Sequence, residues 1–421
     1  MLSPERTDGP AAAEAVPPAA RWYRSDRHWP DRYRPRPWAG GLRVPLVCWA
    51  VTRLLTVGAA LAGAGGSGDE VHLLYPAWAA ELAHGHFPFH DTQWQYPPVA
   101  GLVFLAPRAL PFLGYATAFA LLMLLCDAVV TLLLARAAKV PGRSNHGLWL
   151  WTLGLPLLLQ LPYIRFDVAV TALAVGAVLL LDRAPTGGGA LAALGGLVKA
   201  WPVLVLIGAP RGRSTRRSWV SAVVTALAAS GALASAFSHA FGFLSEQGSR
   251  GIEIESLPGS LLLVARRFGY HGGIHYRYGS FQVGGHGVDD LATAVLVLTV
   301  LGFGWLLWWR LRARRWSPAT AADAALTAML IFVTTSRVIS PQYLVWLIGL
   351  GAVCLVFRET SQRPVALALL PLTVLTTLVY PVLWQPLLHG QALATGVLLL
   401  RDVGLLAITL WSAQRLWRAT R

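Results

Sequence analysis

Two adjacent carboxylates, Asp69 and Glu70, are the residues of this sequence best placed to do chemistry. They follow an apolar segment from Val44 to Ala64 that is long enough to cross a bilayer, and a glycine-rich stretch ends that segment. Acidic residues at a membrane surface are costly and usually functional. One of them could remove a proton from a hydroxyl acceptor beside a lipid-borne donor. The alternative is structural, with Asp69 capping the next helix and Glu70 favouring its N-terminal dipole.

Basic residues in apolar surroundings form a second group of candidates. Arg165 precedes Asp167 by two residues, so the two side chains either form an intramembrane ion pair or leave Arg165 to bind a phosphate head group. Lys199 lies inside an apolar run, next to Ala200-Trp201-Pro202, at a predicted break between two short helices. A lysine there either snorkels to the surface or meets a lipid phosphate.

Two polar stretches near the ends of other apolar runs complete the set of candidate binding residues. Arg337 and Gln342 flank Pro341 in a predicted turn, where they either bind a phosphate or sugar hydroxyl or belong to a plain hairpin turn. The segment 242–290 is rich in aromatic, amide and histidine side chains, among them His275, as sugar-binding surfaces often are. A metal site is not predicted, because no Cys or carboxylate joins these histidines at ligand spacing.

Composition identifies the kind of protein that must position these residues. Of the 421 residues, 55% are hydrophobic and only 13% are charged, which indicates a multispanning membrane protein. The net charge of +15 does not indicate a nucleic-acid partner, because the arginines lie in short connections between apolar runs and at the two ends. The predicted partner is a lipid bilayer, and the predicted location is the cell membrane.

The apolar runs predict an all-α integral membrane fold with about twelve transmembrane helices. A membrane domain over 43–412 lies between a disordered tail, 1–42, and a basic tail, 413–421. With twelve spans, all the arginine-rich connections and both termini fall on the cytoplasmic side. The long loops 65–113 and 242–290 then lie outside, together with the candidate site. Within the first of these loops, residues 71–84 and 97–111 predict two helices on the membrane surface. The predicted spans are 43–64, 114–137, 147–163, 166–182, 187–199, 200–210, 218–241, 291–311, 322–337, 341–357, 364–383 and 391–412.

Several motifs are missing from the sequence. It contains no phosphate-binding Gly-x-x-x-x-Gly-Lys-Ser/Thr loop and no Gly-x-Gly-x-x-Gly dinucleotide motif. No cofactor is therefore predicted, and a donor substrate is expected to arrive through the lipid.

Five short motifs, taken in order, resemble the polytopic GT-C glycosyltransferases, and within them family 87. They are Gly68-Asp69-Glu70, Ala77-Trp78-Ala79 through Gly85-His86-Phe87-Pro88-Phe89, Tyr96-Pro97-Pro98, Lys199-Ala200-Trp201-Pro202 and Ser340-Pro341-Gln342-Tyr343. The resemblance implies a GT-C fold, with two surface helices in the first outer loop. It implies an inverting, metal-independent transfer from a polyprenyl-phosphate sugar, with the general base at Asp69. Val71-His72 departs from the aromatic-rich stretch of many relatives.

The resulting hypothesis is a glycosyltransferase that moves a sugar, with mannose preferred, from a polyprenyl phosphate to a lipid-linked glycan or glycolipid. Asp69 is the base, Glu70 orients the acceptor or Asp69, and Arg165, Lys199 and Arg337 bind the phosphate. Two alternatives remain at this point. One is a transporter or flippase, since transporters also contain broken helices; the other is a glycan polymerase or ligase.

Overall fold

The computed structural model describes residues 41–62, 70–89, 91–246 and 251–421. Residues Leu42–Arg421 form one compact unit that is mostly helical. The α-helices are α1 (Arg43–Leu61), α2 (Tyr75–Ala83), α3 (Ala100–Leu105), α4 (Tyr115–Ala138), α5 (His146–Gly154), α6 (Leu161–Ile164), α7 (Asp167–Leu180), α8 (Pro185–Val198), α9 (Arg213–Ala236), α10 (Phe243–Glu246), α11 (Leu257–Arg266), α12 (Val288–Arg312), α13 (Thr320–Thr334), α14 (Tyr343–Val356), α15 (Arg363–Thr377), α16 (Trp384–Leu388) and α17 (Ala392–Thr420).

Among the described residues, six helical segments are long and apolar enough to cross a membrane: α1, α4, α9, α12, α15 with its continuation to Val382, and α17. Each of the twelve predicted spans overlaps helical residues, but several of these helices are short or broken. The prediction of a helical, multi-pass membrane protein is confirmed. The number of spans and the position of α2 and α3 on the membrane surface stay predictions.

The helices differ sharply in how much of their surface the protein covers. Every residue of α14 after Tyr343 is buried, and all but one residue of α13 is buried. In contrast, α1, α9 and α12 bury only a few residues each and expose their Leu and Val side chains. A helix that is apolar on all sides yet exposed is typical of one that faces lipid.

A buried polar network attaches α1 to the rest of the protein. Arg53 Nε lies 2.7 Å from Asp127 Oδ2 on α4, and both side chains are fully buried. Arg53 also donates to the carbonyl oxygens of Trp151 and Thr152, while Trp151 and Tyr163 donate to the Asp127 carboxylate. Every charge in this network is therefore compensated, as buried ions require.

The break at Lys199 has the form predicted from the sequence. Helix α8 ends at Val198, Lys199 has extended dihedral angles, and a 3-10 helix follows over Trp201–Gly208. A Cβ at Gly195 would lie 2.8 Å from Pro202, so glycine allows the two arms of this hairpin to approach. Lys199 consequently lies at the turn of a tight hairpin between α8 and the 3-10 helix.

The second long connection, residues 237–287, contains strands that an all-α fold does not include. Strands β1 (Ile252–Glu253), β2 (Ile274–Arg277) and β3 (Ser280–Val283) form an antiparallel sheet in the order β1-β3-β2. β2 and β3 pair as a hairpin, from Ile274 opposite Val283 to Arg277 opposite Ser280. The all-α expectation is therefore corrected at this point: β-branched and aromatic residues alternate here over runs too short for helices.

Some predictions concern residues outside the described part of the chain. Asp69 lies outside it, as do residues 1–40 of the predicted N-terminal tail. At the other end, α17 continues to Thr420, so residues 413–420 belong to this helix.

Candidate active site

A cavity of about 530 Å³ brings together most of the candidate residues. The first loop, the α6–α7 turn, the break at Lys199, the small sheet and the turn before α14 all contribute to its wall. Its polar lining residues are Glu70, Gln93, Gln95, Tyr96, Arg165, Lys199, Glu253, Glu255, Tyr276, Tyr278, Ser280, Ser340, Gln342, Tyr343 and Tyr380. Five predicted site residues, Glu70, Tyr96, Arg165, Lys199 and Gln342, are thus neighbours of one space.

Arg165 pairs with Glu70 rather than with Asp167. Its Nη2 atom lies 2.6 Å from Glu70 Oε1, and both side chains are partly exposed toward the cavity. Tyr75 also hydrogen-bonds to Arg165, and burial raises the pKa of the Tyr75 hydroxyl well above its ordinary value, although Arg165 opposes the shift. Of the two alternatives stated for Arg165, the ion pair with Asp167 is therefore wrong, because each side chain finds a partner on another element.

Asp167 instead holds Lys199, 32 positions away. Lys199 Nζ lies 2.7 Å from Asp167 Oδ1, and Trp346 Nε1 donates to the same oxygen at 2.7 Å. The ammonium group is surrounded by rings, 4.5 Å from the Phe166 centroid and 4.9 Å from that of Trp346. Such contacts hold a cation in place. Asp167 itself is buried, so it positions Lys199 and is not one of the residues that line the cavity.

The cavity thus presents two cations, each balanced by one carboxylate. Arg165 offers several N–H groups in a planar fork, and Lys199 offers a compact ammonium group. The side chain of Gln342, at the start of α14, is a further hydrogen-bonding group. Together these groups fit a phosphate that enters the cavity.

Two carboxylates that were not predicted as site residues also line the cavity. Glu253 and Glu255 are 6% and 2% exposed. Arg401 Nη1 on α17 lies 3.8 Å from Glu255 Oε1 and pairs more closely with Asp402. Burial raises the pKa of Glu255 to about 8, with Arg401 opposing the shift and Glu253 and Asp402 adding to it. The sequence signal for this group was the adjacent pair Arg401-Asp402 in an apolar run.

Two further predicted residues, like Asp167, are not among those that line the cavity in the described part of the chain. The carbonyl oxygen of Arg337 accepts a hydrogen bond from the Glu253 N–H at 3.0 Å, so this residue supports β1 through its backbone. His275 lies exposed on β2, with its ring next to Gly273 and Gly284. A direct role for either side chain in substrate binding stays a prediction without support from the geometry.

The family model for glycosyltransferase family 87 matches residues 94–341, more than half of the chain. The chain belongs to glycosyltransferase family 87. The resemblance predicted from short motifs is thereby confirmed, and the protein is a membrane glycosyltransferase. Membership of this family indicates a glycosyltransferase and does not support the alternative of a transporter or flippase. No curated protein matches the sequence.

The family 87 transferase also has distant structural neighbours. Two crystal structures of ArnT from Cupriavidus metallidurans resemble it, one bound to undecaprenyl phosphate and one in the apo state. Their sequence identities to this chain are 15% and 14%, and the TM-scores are 0.46 and 0.40. Each match covers 90% of this chain and 76% of ArnT.

Proposed function

We propose that the protein transfers a sugar, with mannose as the first choice, from a polyprenyl phosphate to a lipid-linked glycan or other glycoconjugate outside the cytoplasm. The observation that carries this proposal is the cavity in which Arg165 and Lys199 accompany Glu70, the residue that directly follows Asp69. Family 87 membership supports glycosyl transfer as the reaction. The apolar helices around the cavity support a donor that reaches it from the bilayer.

In the proposed reaction, Asp69 removes the proton of the acceptor hydroxyl. The resulting nucleophile attacks the anomeric carbon from the face opposite the phosphate, so the configuration inverts. The bond between that carbon and the phosphate oxygen breaks, and the electron pair stays on the departing polyprenyl phosphate. Arg165 and Lys199 stabilise this charge as it develops. Glu70 and Asp167 hold the two cations in position, and for Glu70 this replaces the expected role of orienting the acceptor or Asp69.

The decisive experiment uses the purified protein in lipid nanodiscs with radiolabelled polyprenyl-phosphate-mannose and a membrane lipid extract. We expect Asp69→Asn to lower turnover by about 10²–10⁴-fold, because a general base contributes that much. Asp290→Asn, at an exposed position near the start of α12, is the matched control and should keep wild-type activity.

Three results of this experiment separate the possibilities. Near-full activity of Asp69→Asn would falsify its assignment as the base. Binding of polyprenyl phosphate without mannose transfer would indicate another sugar, such as arabinofuranose. Failure of the wild type to bind polyprenyl phosphate would contradict the proposed donor class.

A further inference from the structure

The cavity has a second, acidic wall that the proposed reaction does not use. Glu253 belongs to β1 and Glu255 follows it, while Tyr276 and Tyr278 come from the β2–β3 hairpin. All four residues line the cavity to which Arg165 and Lys199 also belong. One space therefore contains a basic wall suited to phosphate and an acidic, aromatic wall with different chemistry.

The Oε1 atom of Glu255 in this wall is buried and receives no hydrogen bond from the described residues. The Glu255 side chain as a whole is almost completely buried. The guanidinium of Arg401 lies 3.8 Å from that oxygen, beyond hydrogen-bonding distance, while it pairs with Asp402 at 2.8 Å. A buried carboxyl without a donor is costly, so a ligand that supplies hydroxyl groups would be favoured there.

Tyr278 occupies a conformation that tyrosine rarely adopts. It forms the two-residue loop of the β2–β3 hairpin with Gly279, and both residues have positive φ, 53° and 72°. Asn and Gly are the residues usually found at the first of these positions. Residues with strained backbone conformations cluster at functional sites, and Tyr278 lines the cavity. The neighbouring Tyr276 hydroxyl lies 3.5 Å from Gln93 Oε1, so the hairpin also contacts the first loop.

We propose that Glu255, with Glu253 and Tyr278, forms the subsite that binds a sugar ring of the acceptor. Carboxyl groups bond the ring hydroxyls and the tyrosine ring lies against its C–H face. This inference rests on the proposed function and names the acceptor class as a glycan with adjacent free hydroxyls, rather than a simple lipid alcohol. A metal cation is disfavoured at Glu255, because Arg401 already supplies positive charge there.

The test measures binding of methyl α-D-mannopyranoside to the full-length protein in nanodiscs by saturation-transfer NMR. Decaprenyl phosphate binding is measured in parallel as a report on the basic wall and on folding. We expect Glu255→Ala and Tyr278→Ala each to weaken glycoside binding about two- to tenfold, as for one lost hydrogen bond of a neutral carboxyl or one lost ring contact. Glu255→Gln, whose amide can still bond hydroxyls, should retain most of it. Glu81→Ala, at an exposed position on α2, is the control.

The outcomes distinguish this subsite from the proposed donor chemistry. The subsite is overturned if both alanine variants bind the glycoside as tightly as the wild type does. It is also overturned if the wild type binds no glycoside, even when decaprenyl phosphate binds. If the wild type does not bind decaprenyl phosphate, the proposed polyprenyl-phosphate donor is contradicted instead. If Glu255→Ala alone loses both ligands, that variant has misfolded. Glycoside binding by Tyr278→Ala, at the tip of the hairpin, then decides whether the subsite exists.

Discussion

At the scale of single residues, the main property of the site is that each cation has its own carboxylate. Lys199 forms an ion pair with Asp167 and is surrounded by aromatic rings, and Arg165 forms an ion pair with Glu70. These pairs hold the two cations at fixed positions before any substrate enters. Preorganised charges of this kind need no rearrangement as the leaving phosphate becomes more negative.

Substitution of Lys199 tests this arrangement. Lys199→Met should raise the KM for the polyprenyl-phosphate donor about tenfold or more, since a hydrogen bond to a charged group is worth about 1.5–3 kcal/mol. Lys139→Met is a matched control, because Lys139 is the only other lysine and lies exposed at the end of α4.

The single variant also leaves the buried Asp167 without its cation, which lowers stability. The double variant Lys199→Met/Asp167→Asn removes both charges and should recover the thermal midpoint while the donor KM stays high. Recovery of the donor KM in the double variant would contradict a contact between Lys199 and phosphate.

At the scale of elements, the Arg53–Asp127 ion pair is the centre of the buried polar network that attaches α1 to its neighbours. This helix buries only Pro45, Arg53 and Val57, so few apolar contacts fix it against the remaining helices. Arg53 and Asp127 join it to α4, and Trp151 and Tyr163 connect the network to α5 and α6. Asp69 follows Leu61, the last residue of α1, by eight positions in the sequence, so the ion pair fixes the helix from which the first loop starts.

Arg53→Met should therefore lower both stability and turnover. Removal of one member of a buried ion pair costs about 3–5 kcal/mol, because the other charge stays buried without compensation. We expect a lower thermal midpoint and a reduced kcat with little change in donor KM. Arg43→Met, at the exposed start of the same helix, should behave as the wild type. An unchanged thermal midpoint for Arg53→Met would show that α1 is held by other contacts.

The helices and the break at Lys199 could be predicted because they depend on local sequence. Long apolar runs form spans, and Pro202 lies in the first turn of the short helix that follows the break, where proline is tolerated. The ion pairs could not be predicted, because Arg53 and Asp127 are 74 positions apart and Lys199 and Asp167 are 32 apart. A lone Arg53 and a lone Asp127 in apolar runs are a sequence signal that could have indicated buried partners. Only the packing of the helices selects which partners meet.

At the scale of the whole molecule, the basic clusters and the cavity lie at opposite ends of the same helices. Helix α14 begins at the cavity with Tyr343 and ends at Val356, close to Arg358. Its 14 residues make it about 21 Å long. Clusters from different connections meet at that far end: Arg358 donates to the carbonyl oxygen of Arg143, and Arg310 donates to Thr215 close to Arg211. This grouping agrees with the prediction that the arginine-rich connections share one side of the membrane.

The positive-inside rule then predicts that the clusters face the cytoplasm and the cavity faces outward. A variant with Cys48, Cys126 and Cys354 replaced by serine provides the background for cysteine labelling in intact cells. His271→Cys, exposed in the second loop, should react with a membrane-impermeant maleimide. Glu359→Cys, exposed beside Arg358, should react only after the membrane is permeabilised. The opposite pattern would place the cavity in the cytoplasm, where a soluble sugar donor would be the natural substrate, and the proposed lipid-borne donor would lose its main rationale.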